Sequence, residues 1–246
     1  MYTHRQPYNT IPNLGDIFSN FTSKPILPHV QQYMMKVYGT VAFTLVAAFV
    51  GCLVDIEYQL CGVMTTVLEF VAIFYLLLSR HTIDTITTRF AVLLGVGFLS
   101  GVSLGTLVEF TLQLDPSIVA TSTMMTALIF AAISFIALRS PTTYWLFLQS
   151  IITMTALGLL VFSIMPFFFP SMYYIVNVIS FIMSCMCVLY HTNLLMYRAE
   201  NGEKDYIAGS LALFHDIIDL FVQIMTWLTV KEDTERRKAQ LRREAE

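Results

Sequence analysis

The chain alternates long apolar runs with short polar breaks, and the runs have the length of helices that cross a bilayer, about 17 to 25 residues each. Four of them are Val37 to Val54, Tyr58 to Ser79, Phe90 to Val108 and Ile118 to Leu138, and Glu69 is the one charged residue inside them. From Ser140 to Tyr197 there is no Asp, Glu, Lys or Arg. That stretch has room for two spans, with the break supplied by Pro166 and Pro170 on either side of Phe167, Phe168 and Phe169. Tyr206 to Val230 is a seventh run. A spanning segment must close its own backbone hydrogen bonds, and runs this long and continuous are not barrel strands, so all seven are read as helices.

Composition agrees. With 56% hydrophobic and 13% charged residues and a mean hydropathy of +0.67, the chain is too apolar for an ordinary soluble domain and reads as an integral membrane protein whose first partner is the lipid bilayer. The net charge of −3 is spread over short connections, which argues against a nucleic-acid surface. Cys52, Cys61, Cys185 and Cys187 lie in or beside apolar runs without metal-ligand spacing and are assigned to packing. The first 36 residues mix Pro, His, Asn and aromatics, so no cleavable signal is read there and the first span is expected to target the chain. The organisation is then a cytoplasmic amino-terminal segment (1–36), a seven-helix transmembrane domain (37–230) and a charged carboxy-terminal tail (231–246).

Orientation follows from the basic residues, because Lys and Arg in short flanking loops favour the cytoplasmic side. Arg5, Lys24 and Lys36 precede the first span; Arg80 and Arg89 separate the second and third; Arg139 follows the fourth; Arg198 and Lys204 precede the seventh. The other connections carry Asp55, Glu57, Glu109 and Asp115 instead. The amino terminus is therefore placed in the cytoplasm, and the Asn20-Phe21-Thr22 sequon is expected to stay unmodified. The tail, KEDTERRKAQLRREAE, conflicts with this pattern: a full seventh crossing puts its basic residues on the far side, whereas a dip and return keeps them with the others. Its side stays open at this point.

The seventh run contains LFHDIIDLF, with His215, Asp216 and Asp219. An Asp near the bilayer centre costs about 2.5 to 3.5 kcal/mol on insertion scales, so neither carboxylate is expected to face lipid. Gly209, Ala212, Asp216, Asp219 and Gln223 follow helical spacing, small residues first and polar ones after, which suits a helix at the centre of the bundle. The sixth run offers a partner. His191 precedes Arg198 by seven residues, about 10 Å, and Asp216 follows Asp205 by eleven, about 16 Å, so in an antiparallel pair the two differ in level by about one turn. His191 and Asp216 are expected to meet, directly or through water.

The stretch LYHTNLLMYRAENGEKDYIAGSLALFHDIIDLFVQIMTWL resembles the carboxy-terminal signature of the transmembrane Bax inhibitor motif family, most closely its founding endoplasmic-reticulum branch. HVQQYMMKVYGTVAFT, FLSGVSLGTLVEF and LDPSIVATSTMMTALIF fit the same branch. The resemblance implies a seven-helix fold with the last helix central, an endoplasmic-reticulum location, suppression of cell death through death or stress-signalling membrane proteins, and a pH-sensitive Ca²⁺ leak, Ca²⁺ being the permeant ion. It implies neither cofactor nor resident metal. In the family's pattern two buried aspartates near the cytoplasmic mouth share a proton. The second maps onto Asp216 and the first onto His191, so the chain departs from the pattern at the sensing pair. It also has Ala212 where the founding branch usually carries Asp, and Asp219 where an uncharged residue is common.

Two close carboxylates repel once both are ionised, which suits a gate that loosens as pH rises. An imidazolium and a carboxylate attract instead, and the attraction ends when His191 loses its proton. Altered pH dependence is the expectation. The bland readings stand beside it: His191 satisfying a carbonyl, His215 and Asp219 forming a structural pair one turn apart, Asp219 replacing the missing acid, Glu69 facing the cavity or the headgroups, and Arg80 approaching Asp216 or snorkelling to phosphate. His191, His215, Asp216 and Asp219 include metal-site residue types, but their spacing matches no metalloprotease pattern and no GxSxG or phosphate loop is present, so no enzymatic activity is expected. A non-conducting interaction protein is the alternative reading.

Overall fold

The computed structural model describes residues 27–79, 85–139, 152, 155 and 172–245. The order of elements among them is α1 (Pro28–Tyr58), α2 (Val63–Leu78), α3 (Ile86–Leu114), α4 (Pro116–Arg139), α5 (Met172–Glu200) and α6 (Tyr206–Ala245). All but α2 are long and apolar enough to cross a membrane, and α2 is an apolar helix of 16 residues. Six of the seven anticipated helices are therefore in place. Apart from residues 152 and 155, the fifth run with Pro166 and Pro170 lies outside the described residues, as do Arg80 and the Asn20 sequon.

Most helices extend past the apolar runs that announce them, because helix geometry continues wherever backbone partners remain and no breaker intervenes. α1 starts with Pro28 in its first turn, where a missing N–H costs nothing, and ends where Gln59 turns left-handed at φ 49°. Asp55, expected in a loop, is thus in the last turn of α1. It is buried, and its Oδ1 accepts the Cys61 N–H at 2.6 Å. Glu109 likewise falls inside α3. The second run is the exception: the turn at Gln59 takes its first residues, and α2 begins only at Val63.

α1 and α3 run side by side in the same direction, brought close by Gly97, Gly101 and Gly105 on one side of α3. A Cβ on these residues would meet Thr44, the backbone of Ala48 and the side chain of Asp55, respectively. Small residues four apart let membrane helices approach to backbone contact. Gly101→Ala is expected to destabilise the protein by about 1–3 kcal/mol through overpacking against backbone that cannot rotate away. Gly39→Ala, with nothing within 4 Å of the added methyl, is the internal control. Thermal unfolding in detergent compares the two.

α6 packs against α1, α3, α4 and α5. Its buried residues include Ile207, Leu211, Phe214, Leu220 and Met225, on several sides of the helix. The last helix is therefore central, as an all-round apolar helix must be. Its start is tied to the start of α1, where the Tyr33 hydroxyl donates to the Asp205 carbonyl at 3.0 Å. Further along, Thr229 and Thr111 of α3 share a hydrogen bond of 3.1 Å, and an Arg236 Nη donates to the Leu114 carbonyl at the end of α3 at 2.7 Å. α6 thus runs the whole length of the bundle. The tail continues the same helix, with ion pairs Glu232–Arg236, Asp233–Arg237 and Glu235–Lys238 one turn apart along it. It emerges beside the α3–α4 connection, at the opposite end from the start of α1. There Asp115 caps α4 by accepting the Ser117 N–H at 2.8 Å, which holds its carboxyl below the usual carboxylate range. Impermeant thiol reagents on sealed vesicles are expected to reach a cysteine placed at Ala239 and one placed before α1 from opposite faces. Labelling of both from one face would show that the tail returns.

Candidate functional site

Asp216 and His191 face one another across the antiparallel α5–α6 pair. The register is set one turn and more toward the α5–α6 connection, where Gly209 of α6 meets the Leu195 side chain of α5. Stepping back along α5 and forward along α6 from that contact brings the His191 Nδ1 to 2.7 Å from the Asp216 Oδ2. The Asp216 side chain is 6% exposed and that of His191 30%. With the carboxylate ionised, the ring donates Nδ1–H to it; with the ring also protonated, the contact is an ion pair. The Tyr190 ring lies 5.4 Å from the imidazole, centroid to centroid.

The other acidic and basic residues of the stretch separate from this pair. Three residues along a helix rotate by about 300°, leaving Asp219 about 60° from Asp216. Asp219 is exposed where Asp216 is buried, and both carboxylates lie near Cys187 of α5. The face drawn through Gly209, Ala212, Asp216, Asp219 and Gln223 is therefore not uniformly inward. His215 turns back on its own helix: its Nδ1–H donates to the Leu211 carbonyl at 3.0 Å, and its ring meets the edge of Phe214. It pairs with that carbonyl, not with Asp219.

Glu69 belongs to a different contact. Halfway along α2, its carboxylate accepts hydrogen bonds from the Ser100 and Ser103 hydroxyls of α3, the latter at 3.3 Å. Serines three apart occupy one side of a helix. Glu69 so binds a thin, largely exposed helix to the bundle by polar contacts, the buried side chain of α2 being Leu76.

A second charged centre, at the end of the bundle where α1 begins, was not legible from spacing. Arg89 is 1% exposed. One Nη donates to the Asp205 Oδ2 at 2.9 Å and to the Leu76 carbonyl at 3.2 Å. Asp205 in turn accepts the Ala208 N–H through Oδ1 at 3.2 Å, capping α6. With Tyr33 on its carbonyl, this one residue joins α1, the end of α2, α3 and α6. The available signal was the charge itself: Arg89 stands three residues inside α3, too deep for a loop cation once the helix starts at Ile86.

Among the described residues no three His, Cys, Asp or Glu side chains are grouped to hold a metal ion. The chemistry the site offers is proton exchange at a buried acid–imidazole pair in the wall between two spanning helices.

Comparison with known proteins places this arrangement. The family described as "Inhibitor of apoptosis-promoting Bax1" matches residues 30–233. Bax inhibitor 1 of Homo sapiens is 32% identical over 218 residues, covering 87% of this chain and 92% of the human protein. Bax inhibitor 1 of Drosophila melanogaster is 25% identical over 231 residues, and the Bax inhibitor 1 homolog of Dictyostelium discoideum 26% over 219, each covering at least 85% of both chains. With a match that takes in α1 to α6 and both charged centres, the chain belongs to the Bax inhibitor family of multi-pass, apoptosis-regulating membrane proteins.

Proposed function

We propose that the protein restrains cell death as a pH-gated Ca²⁺ leak of the endoplasmic-reticulum membrane, with His191 and Asp216 as the gate. The observation that carries this reading is the contact of 2.7 Å between the His191 ring and a buried carboxylate on the central helix. Intramembrane ionisable residues are expensive to place and cluster on ion and proton pathways. An ion pair between neighbouring helices also gives a natural two-state element. While the ring is protonated and Asp216 ionised, α5 is drawn to α6 and the path is closed. When the ring loses its proton the attraction falls to that of a neutral hydrogen bond, and the path opens.

The sign of the pH effect follows. Closure holds while imidazolium and carboxylate coexist, and the leak is higher at a pH where the ring is neutral. It rises again at pH low enough to protonate Asp216. His191→Asp replaces this window with that of two repelling carboxylates, which are held together only while they share a proton. Ca²⁺ release from loaded proteoliposomes, followed from acid to alkaline pH, is expected to give displaced profiles for the two proteins. Superimposable profiles reject His191 as the gate. No release from either rejects the leak and supports a second reading, in which the fold acts without conduction by binding the membrane proteins that promote cell death. The relatives' name, Bax inhibitor, favours that second reading.

A further inference from the structure

We infer that Glu69 of α2 forms, with Ser100 and Ser103 of α3, a second proton-binding site of the protein, reached from the bilayer and independent of the His191–Asp216 pair. The Ser100 hydroxyl donates to the Glu69 Oε1, and the Ser103 hydroxyl donates to its Oε2 at 3.3 Å. Ser100 is buried and Glu69 half-buried, so the carboxyl lies in the seam between the two helices with one side open. Its neighbours along α2, Leu68, Phe70 and Val71, are each more than half exposed. In a helix within the bilayer, that exposure is to acyl chains.

No basic side chain answers this carboxyl: among the described residues Glu69 makes no ion pair. On α3, against which α2 packs, the ionisable residues are Arg89, eleven residues before Ser100, and Glu109, six after Ser103, about 16 and 9 Å away along the axis. Arg89 is engaged with Asp205 and the Leu76 carbonyl. α6 meets the later half of α2, where Leu76, Ile207 and Leu211 share an apolar cluster with Tyr206 at its edge. On α2 itself Tyr75 follows six residues on. Asp216 and Arg89, by contrast, each face an ionisable partner. An ion pair fixes a carboxyl in its ionised form, whereas hydroxyls serve either form, because a serine both donates and accepts. Both serines donate to the ionised carboxylate; a protonated carboxyl donates to one and accepts from the other. The site keeps its bonds on either side of the proton transfer, and the charge that the proton removes is one that hydrocarbon penalises.

Its test is labelling of the full-length protein in phospholipid nanodiscs with dicyclohexylcarbodiimide, which dissolves in the bilayer and reacts with protonated carboxyls. The carboxyl oxygen bonds to the carbodiimide carbon, the carboxyl proton passes to nitrogen, and acyl migration leaves a stable N-acylurea that peptide mass mapping locates. Glu69 is expected to take the label at a rate that falls about tenfold per pH unit on the alkaline side of its titration. Ser100→Ala and Ser103→Ala, singly and together, remove donors to the ionised form and are expected to raise the rate severalfold at a given pH; the single variants keep the test readable should the double one misfold. An unlabelled Glu69 at every pH at which the protein stays folded, a rate indifferent to pH, or serine variants that react like the wild type overturns the site. A water-soluble carbodiimide is expected to label carboxylates of the tail and spare Glu69; equal labelling of Glu69 would show an aqueous approach and overturn access from the bilayer. His191→Asp is expected to leave the Glu69 rate unchanged, so failure of the gate and failure of this site are read separately. A changed rate would show the two sites to be coupled and overturn their independence.

Discussion

Asp216→Asn is expected to abolish most of the pH dependence of Ca²⁺ release and to leave the leak high in acid. Asparagine keeps the shape and a neutral hydrogen bond to His191 but removes the charge that draws α5 to α6. A hydrogen bond to a charged group contributes about 1.5–3 kcal/mol. If that energy separates closed from open, its loss shifts the balance by about tenfold to a hundredfold toward open. The comparison to make is the ratio of release rates in acid and at neutral pH for wild type and variant. The ratio should approach one in Asp216→Asn. Asp219, His215 and Cys187 are the other titratable groups near Asp216, so Asp219→Asn is the necessary companion. Because Asp219 is exposed and outside the 2.7 Å contact, it is expected to keep the wild-type profile. A variant at Asp219 that flattens the profile while Asp216→Asn retains it would transfer the sensing role to Asp219.

Depth along the membrane was readable from the chain, whereas direction around each helix was not. His191 and Asp216 could be matched because both are counted from one short connection, Arg198 to Asp205, so errors in the count largely cancel. Hydropathy also located the helices, since a run that can cross hydrocarbon has to be long. Helical spacing put Asp219 on the same side as Asp216, but which side of a central helix is covered depends on where its neighbours stand. α5 covers Asp216 and leaves Asp219 exposed, and no residue within the helix encodes that. Arg89 illustrates a second gap. Reading charged residues as loop markers sets it outside the third span, whereas α3 starts at Ile86 and draws it inside. Its partners, Asp205 and the Leu76 carbonyl, are brought to it by helices distant in sequence. Glu69 was visible as an anomaly, and its partners Ser100 and Ser103 looked like ordinary span residues until α2 was laid against α3.

The tail shows where two sequence rules compete. Basic residues favour the side of the amino terminus, but a helix that is apolar from Tyr206 to Val230 and tied to α3 by Thr229 and Arg236 is expected to cross fully. Burial of a central helix involves far more contact than the surface preference of a few cations diluted by neighbouring acids. On that ground the tail is expected on the side opposite the amino terminus, against the positive-inside preference, and thiol labelling at position 239 decides it.

Arg89→Met is expected to cost the fold about 3 kcal/mol, toward the lower end of what removing one member of a buried ion pair does. The guanidinium is fully buried, so the cost is the partners it abandons: a carboxylate, and a carbonyl at the end of α2. Asp205 retains some contact with solvent, its side chain being 20% exposed, which moderates the penalty. Methionine fills much of the arginine stem's volume, so little of the effect is cavity. Asp205→Asn separates the roles of that residue, since asparagine caps a helix about as well as aspartate but carries no charge. In a double-mutant cycle followed by thermal unfolding in detergent, adding Asp205→Asn to Arg89→Met should lower stability little further, because the guanidinium that the Asp205 charge answers is already gone. Independent, additive losses would mean that the two side chains do not act as a pair. The same cycle bears on the gate: α6 is held at its start by Arg89 and partway along by His191, so a loosened start is expected to raise the acid leak even with the His191–Asp216 contact intact.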